Sequence, residues 1–341
     1  MDIQRRSLQI GAAAIACAIL LRLGSSGAFG TMAKALSSPE VMSVLLYLET
    51  GRVVRVEPPQ QTEPTHSTAV QQTEPEGSVV ATAPEDEAAV AVFAQEDAAL
   101  VSVNSVCGYD ADVSALLSQP LTWDLTQQEP TVLILHSHAT ESYTKTEDYE
   151  ESSAYRTLDE EYNVVSVGAA LAQTLEAGGI KVIHDTALHD HPSYNNAYND
   201  ARGNIEQYLQ QYPSIALVLD IHRDSVQTSS GTQKKYTVEK DGQQIAQLML
   251  VVGTDAGGLK HPNWPENMSL AVKLYAQLEK DCAGISRPIS FRSQRFNQDL
   301  SPGALIVEVG SAGNTRQEAL QAAQILGQAI LKISNGAEMS S

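Results

Sequence analysis

From about residue 131 onward the sequence predicts an α/β domain, a central and mostly parallel sheet flanked by helices. Two observations carry that expectation. Short apolar runs, each bounded by polar or glycine residues, suit strands buried on both faces. Between them lie longer stretches with apolar residues at helical spacing, and strands alternating with helices build a sheet covered on both sides. A third observation concerns chemistry: three of the apolar runs end in histidines or carboxylates, where ligands of open α/β sheets collect.

Thr-Val-Leu-Ile-Leu (131–135) is the first of these runs. Val164, Val167, Leu171 and Leu175 then follow at helical spacing, and Gly178-Gly179 stops that helix. Ile180 to Ile183 predicts the second strand, Asn195 to Gln211 a helix, and Ile215 to Leu219 a third strand. Lys235 to Val238 and Ile245 to Val252, separated by Asp241-Gly242, predict a hairpin with Asp-Gly as its turn. Asn267 to Ala283 is helical by spacing, Ala304 to Val309 is a further strand, and Thr315 to Ile333 a closing helix. The glycine-rich Gly253 to Gly258 lacks the Gly-Lys-Ser/Thr of a phosphate loop and is expected to be a turn.

The amino-terminal part has a different texture. Arg5 and Arg6 precede an apolar run from Leu8 to Leu21, the pattern of a signal anchor or a secretory signal, and Ser-Ser-Gly-Ala (25–28) resembles a cleavage region. The favoured expectation is a single-pass anchor over 1–30 that leaves the rest of the chain on the extracytoplasmic side of the cell membrane. A membrane-proximal helix is expected at 31–56, a disordered acidic linker rich in Pro, Gln, Thr and Glu at 57–105, and the folded domain at 106–335. The formal charge of the 341-residue chain is −19, and no Lys or Arg occurs between Val56 and Thr144, so nucleic acid is excluded as a partner. Cys17, Cys107 and Cys282 show no CxxC spacing, which indicates neither a disulfide framework nor a thiolate metal site.

The chemistry concentrates in His136-Ser137-His138 with Glu141, in Asp220-Ile221-His222-Arg223-Asp224, and in Glu308. Imidazoles with a carboxylate are the usual ligand set of hydrolytic zinc, with one position left for water. His138, Glu141 and His222 are the expected metal ligands, and Glu308 the group that moves the proton. His136 competes with His138 but directly ends its apolar run, so it is expected to be buried and to orient a ligand, as is Asp220. His184, His189 and His191 are other possible donors. Arg223 is a candidate for an oxyanion or substrate carboxylate, or for an ion pair with Asp224 or another acid. Ser137 lacks the nucleophile-elbow pattern, which argues against a serine hydrolase.

Several blocks, taken in order, resemble the stage II sporulation protein P family. These include Leu-Leu-Tyr-Leu-Glu-Thr-Gly (45–51), His-Ser-His-Ala-Thr-Glu-Ser-Tyr (136–143), Asp-Ile-His-Arg-Asp (220–224), His-Pro-Asn-Trp-Pro-Glu-Asn (261–267) and the stretch from Phe296 to Gly310. The resemblance implies the fold of zinc N-acetylmuramoyl-L-alanine amidases, Zn²⁺ as cofactor, and peptidoglycan as substrate. The bond cut lies between the lactyl group of muramic acid and the first L-alanine, with a cross-link endopeptidase activity beside it. It further implies a role in engulfment with stage II sporulation proteins D and M. Carried over, the metal histidines are His138 and His222 and the catalytic glutamate is Glu308. The ligand glutamate is Glu141, with Glu160 and Glu161 as alternatives ahead of the first helix. A zinc carboxypeptidase and a non-catalytic wall-binding scaffold are the competing expectations.

Overall fold

The computed structural model describes residues 93–121, 124–152 and 154–334. The expected anchor at 1–30, the helix at 31–56 and the linker up to residue 92 lie outside the described residues. Among the described residues, no helix is long and apolar enough to cross a membrane.

Regular structure begins inside the stretch expected to be linker. A 3₁₀ turn at Gln95–Leu100 leads into strand β1 (Val103–Ser105) and helix α1 (Val113–Ser118), which Asp112 caps by accepting from the Ala115 N–H. The linker reading therefore fails over its last residues. Its acidity suggested solvation, yet Asp97 is buried and meets Lys280 at 2.5 Å. The partner cation lies far away in sequence, which composition could not reveal.

Strand β2 (Val132–Leu135) is buried throughout, as its apolar run requires. In helix α2 (Val164–Ala177) the Asn163 side chain accepts from the Val165 N–H, Leu171 and Leu175 face the core, and Gly179 leaves the helix at φ +90. Strand β3 (Val182–His184), helix α3 (Ala197–Gln211) and strand β4 (Leu217–Asp224) follow. The hairpin pairs β5 (Thr237–Lys240) with β6 (Gln243–Ala246) across Asp241 and Gly242, both at positive φ, as a tight two-residue turn demands. The expected second arm to Val252 is two strands, because β7 (Leu248–Val252) leaves the hairpin and joins the main sheet. Helix α4 (Trp264–Asp281) begins with Pro265 in its first turn. Strand β8 (Ile289–Phe291), strand β9 (Ala304–Ser311) and helix α5 (Arg316–Ser334) complete the domain.

The seven-stranded sheet runs β1-β8-β7-β9-β4-β2-β3, and every neighbouring pair is parallel except β7 with β9. The expected mixed α/β fold with a mostly parallel sheet is thus present. One sheet face packs Ile134, Leu219, Ile221, Val307 and Val309 with α2, α4 and α5 in the larger apolar cluster. The other face packs Leu133, Leu135, Val218 and Ala304 against Ala201 and Ile205 of α3. Alternation then dictates the site: Asp220 and His222 follow Val218 along this second face of β4, and Glu308 follows Ala304 and Ile306 on β9.

Candidate active site

Parallel pairing of β4 with β9 sets His222 directly opposite Glu308, and pairing of β2 with β4 sets Leu135 opposite Asp220. The third strand ends in the Asp220 to Asp224 block as expected, and β4 runs past its apolar residues because flanking strands on both sides complete the backbone ladder through residues of any polarity. After β2 the chain turns over residues 137–140, which brings the His138 ring to 5.4 Å from that of His222. Asp220 fixes this turn by accepting from the Ser137 N–H (2.7 Å) and hydroxyl (2.6 Å). Glu141 Oε2 lies 3.5 Å from His222 Nδ1. His138, Glu141, His222, Asp220 and Glu308 are thereby gathered at one place, the first four buried and Glu308 partly so.

The charges at this place are set by burial and by one another. Burial alone would raise Glu141, but the Arg223 guanidinium and His222 outweigh it and hold the carboxyl at about 2. Burial disfavours the His222 imidazolium, yet Asp220 and Glu141 reverse this and raise it well above the ordinary histidine range. Glu308 is pushed up to about 8, first by burial and then by Glu141 and Asp224, against the pull of His222. His138 is lowered by burial and then by His222. Two buried carboxylates therefore call for a cation between them, and the His222 proton supplies it here.

Arg223 does not face a reacting group. Its Nε donates to the Ser142 carbonyl (2.9 Å), its Nη2 to the Tyr155 carbonyl (2.7 Å), and its Nη1 lies 3.5 Å from Glu141 Oε1. With its donors spent on the loop it is a clamp, and Asp224 pairs with Arg287 instead (2.8 Å). Glu160 and Glu161 are exposed and take no part. His189 meets Asp185 at 3.2 Å, and His191 is exposed.

His136 is fully buried, as expected. It donates from Nδ1 to the carbonyl of Ile221 (2.9 Å), next to His222, which leaves Nε2 to accept from Nε2 of His184 (2.9 Å). Helix α2 makes room for this pair at Gly168, where a Cβ would stand 2.6 Å from His136 Cε1 and Nε2. An open helix position would gain from alanine, but here the hydrogen-bonded rings cannot retreat. Gly168→Ala should therefore destabilise the fold by about 1–3 kcal/mol, read as a lower midpoint in thermal unfolding; an unchanged or raised midpoint would contradict the packing.

Sequence reasoning missed several neighbours. Arg156 pairs with the buried Asp190 (2.6 Å), approaches Glu141 (3.7 Å), and stacks 4.3 Å over the Tyr194 ring. Tyr194 and Tyr198 stand against His138 at 4.3 and 5.4 Å between ring centroids. Their four-residue separation at the start of a predicted helix was the available signal, since such residues share a face.

Among the described residues, no three His, Cys, Asp or Glu side chains form a ready-made metal-binding group. The donor chemistry nevertheless fits. His138 Nδ1, His222 Nε2 and Glu308 Oε2 are all buried without a hydrogen-bond partner. Asp220 Oδ1 lies 2.9 Å from His222 Nε2, but without hydrogen-bond alignment. Buried orphans at this density ask for a ligand.

The family model of stage II sporulation protein P matches residues 40–331. The chain belongs to that family. Stage II sporulation protein P of Bacillus subtilis (strain 168) is 27% identical over 234 residues, 63% of this chain and 56% of that protein. This member thus spans little more than half the length of the curated relative. Among solved structures, an N-acetylmuramoyl-L-alanine amidase of Nostoc punctiforme aligns with TM-score 0.36 at 16% identity, over 59% of this chain and 96% of that one. An amidase of Clostridioides difficile, solved in complex with a lipoprotein, aligns with TM-score 0.38 at 14% identity, over 60% and 95%.

Proposed function

We propose that this member of the family is a zinc-dependent peptidoglycan hydrolase of sporulation, an N-acetylmuramoyl-L-alanine amidase with a capacity for cross-link endopeptidase action. One observation carries the reading: His222 and Glu308 stand opposite each other on β4 and β9, with Glu141 3.5 Å from His222 Nδ1 and a buried, unpartnered Nδ1 on His138, whose ring lies 5.4 Å from that of His222. His138, His222 and Glu141 would hold Zn²⁺, which when bound lowers the pKa of water to about 7 and polarises a carbonyl oxygen. Glu308, whose burial favours a bound proton, takes the proton of the attacking water and returns it to the leaving nitrogen of L-alanine. Asp220 holds the turn at Ser137 that carries His138, while Arg223 and Arg156 fix Glu141.

The amino-terminal segment would anchor the enzyme in the cell membrane with its active site outside the cytoplasm, beside stage II sporulation proteins D and M. Mass spectrometry of peptidoglycan digested by the purified protein tests the activity. Free stem peptides beginning at L-alanine are expected. Release of terminal amino acids alone would mean a carboxypeptidase, and no soluble product a scaffold.

A further inference from the structure

A pocket of about 480 Å³ adjoins the histidines, lined by Tyr198, Phe296, Asn297, Arg295, Gln294 and Leu259 among others. Tyr198 belongs to both places. Its ring stacks 6.3 Å from His222, and Phe296 packs 5.8 Å from it.

The Phe296 side of this pocket is held in a demanding conformation. Phe296 and Asn297 have φ of +51 and +61, two successive non-glycine residues in the left-handed region. Side chains around them over-determine the turn. Asn297 Nδ2 donates to the Tyr198 carbonyl (2.7 Å). Gln298 accepts from the Gly253 N–H (2.7 Å) and donates to the Val251 carbonyl (2.8 Å). Asp299 receives both Nη atoms of Arg202 at 3.0 Å and Arg295 at 3.2 Å. Strain maintained in this way collects where a side chain must stand in one place for a ligand.

The chemistry of the lining narrows the ligand. Among the described residues that line the pocket, Arg295 alone is charged, and it shares the Asp299 carboxylate with Arg202, which also pairs with Glu206. Two aromatic residues, Leu259 and the uncharged polar residues Ser293, Gln294 and Asn297 supply most of the rest, a surface for a neutral ring bearing amide and hydroxyl groups. A separate pocket of about 320 Å³ meets His138 through Tyr194 and is lined by Arg156 together with Asp190, its partner at 2.6 Å. We propose that the Tyr198–Phe296 pocket binds an N-acetylated amino sugar of the glycan strand and so positions the muramic-acid side of the scissile bond. This rests on the peptidoglycan reading above.

The test uses the full chain with zinc and three probes: a disaccharide-peptide, a D-lactoyl-peptide with the same scissile bond but no sugar ring, and the peptide-free disaccharide. Phe296→Gly removes the ring and leaves a residue at ease with φ +51. Leu259→Ser changes a second lining residue that is 59% exposed, with little risk to folding. The disaccharide should bind the parent protein and bind Phe296→Gly about tenfold more weakly. The preference for disaccharide-peptide over lactoyl-peptide, as a ratio of kcat/KM, should fall by a similar factor through KM, and Leu259→Ser should shift it in the same direction. If both variants keep the parent's ratio while the parent cleaves both substrates, the sugar pocket is overturned and the amidase reading stands. Failure of the parent to bind the disaccharide overturns it equally. Disaccharide binding that is weakened in the variants, in a protein that cleaves neither substrate, would support the pocket and remove the amidase reading.

Discussion

Glu308→Gln should keep the protein folded and its zinc bound while lowering hydrolysis by about 100-fold or more, the range for removing a positioned proton-transfer group. The substitution keeps the size of the side chain. Burial pushes Glu308 up to about 8, so its neutral form is favoured more than that of a free carboxyl. A neutral amide therefore costs the fold little. What it removes is the capacity to accept a proton opposite His222. Zinc content, thermal unfolding and turnover, measured on the same preparation, separate these effects. Turnover at the parent rate would end the catalytic assignment of Glu308.

His138→Ala and His222→Ala should each abolish metal binding and activity, but their stability costs should differ. His222 lies between Asp220 and Glu141; it is the leading influence that holds Asp220 below the ordinary carboxylate range against burial, and it adds to Arg223 in holding Glu141 there. Removing it leaves two buried carboxylates with less compensation, a loss of roughly 3–5 kcal/mol for a broken buried pair. His138 has no hydrogen-bond partner at Nδ1, so its loss should cost the metal-free fold clearly less. Unfolding midpoints in the presence of chelator compare the two directly. Equal destabilisation would contradict the electrostatic account of His222. Glu141→Gln adds the third assignment. Loss of zinc makes Glu141 a ligand, whereas retained zinc leaves it as the partner of Arg223, whose N–H donates to it at 3.2 Å.

Much of this site is legible because its residues end or interrupt apolar runs. His136 and His138 follow a run that is buried from Val132 to Leu135, and Glu308 breaks one that is otherwise apolar. What stays hidden depends on partners distant in sequence. Strands β1 and β8 have three residues each and pair with one another, too short for any periodicity to show. Arg223 sits beside His222 in the chain and so suggests chemistry, but the carbonyls of Ser142 and Tyr155 use its donors. Phe296 and Asn297 adopt left-handed backbone without a glycine to mark the turn, and only the contacts of Asn297, Gln298 and Asp299 explain it.

The central claim is that His138, His222 and Glu141 hold a zinc ion on which hydrolysis depends. Elemental analysis of the purified protein, with peptidoglycan hydrolysis followed before chelation, after chelation and after zinc is restored, tests it most directly. The expected result is about one Zn²⁺ per chain, activity lost with the metal and regained with it, and a fold that survives removal. Full hydrolysis by protein shown to contain no metal would contradict the account.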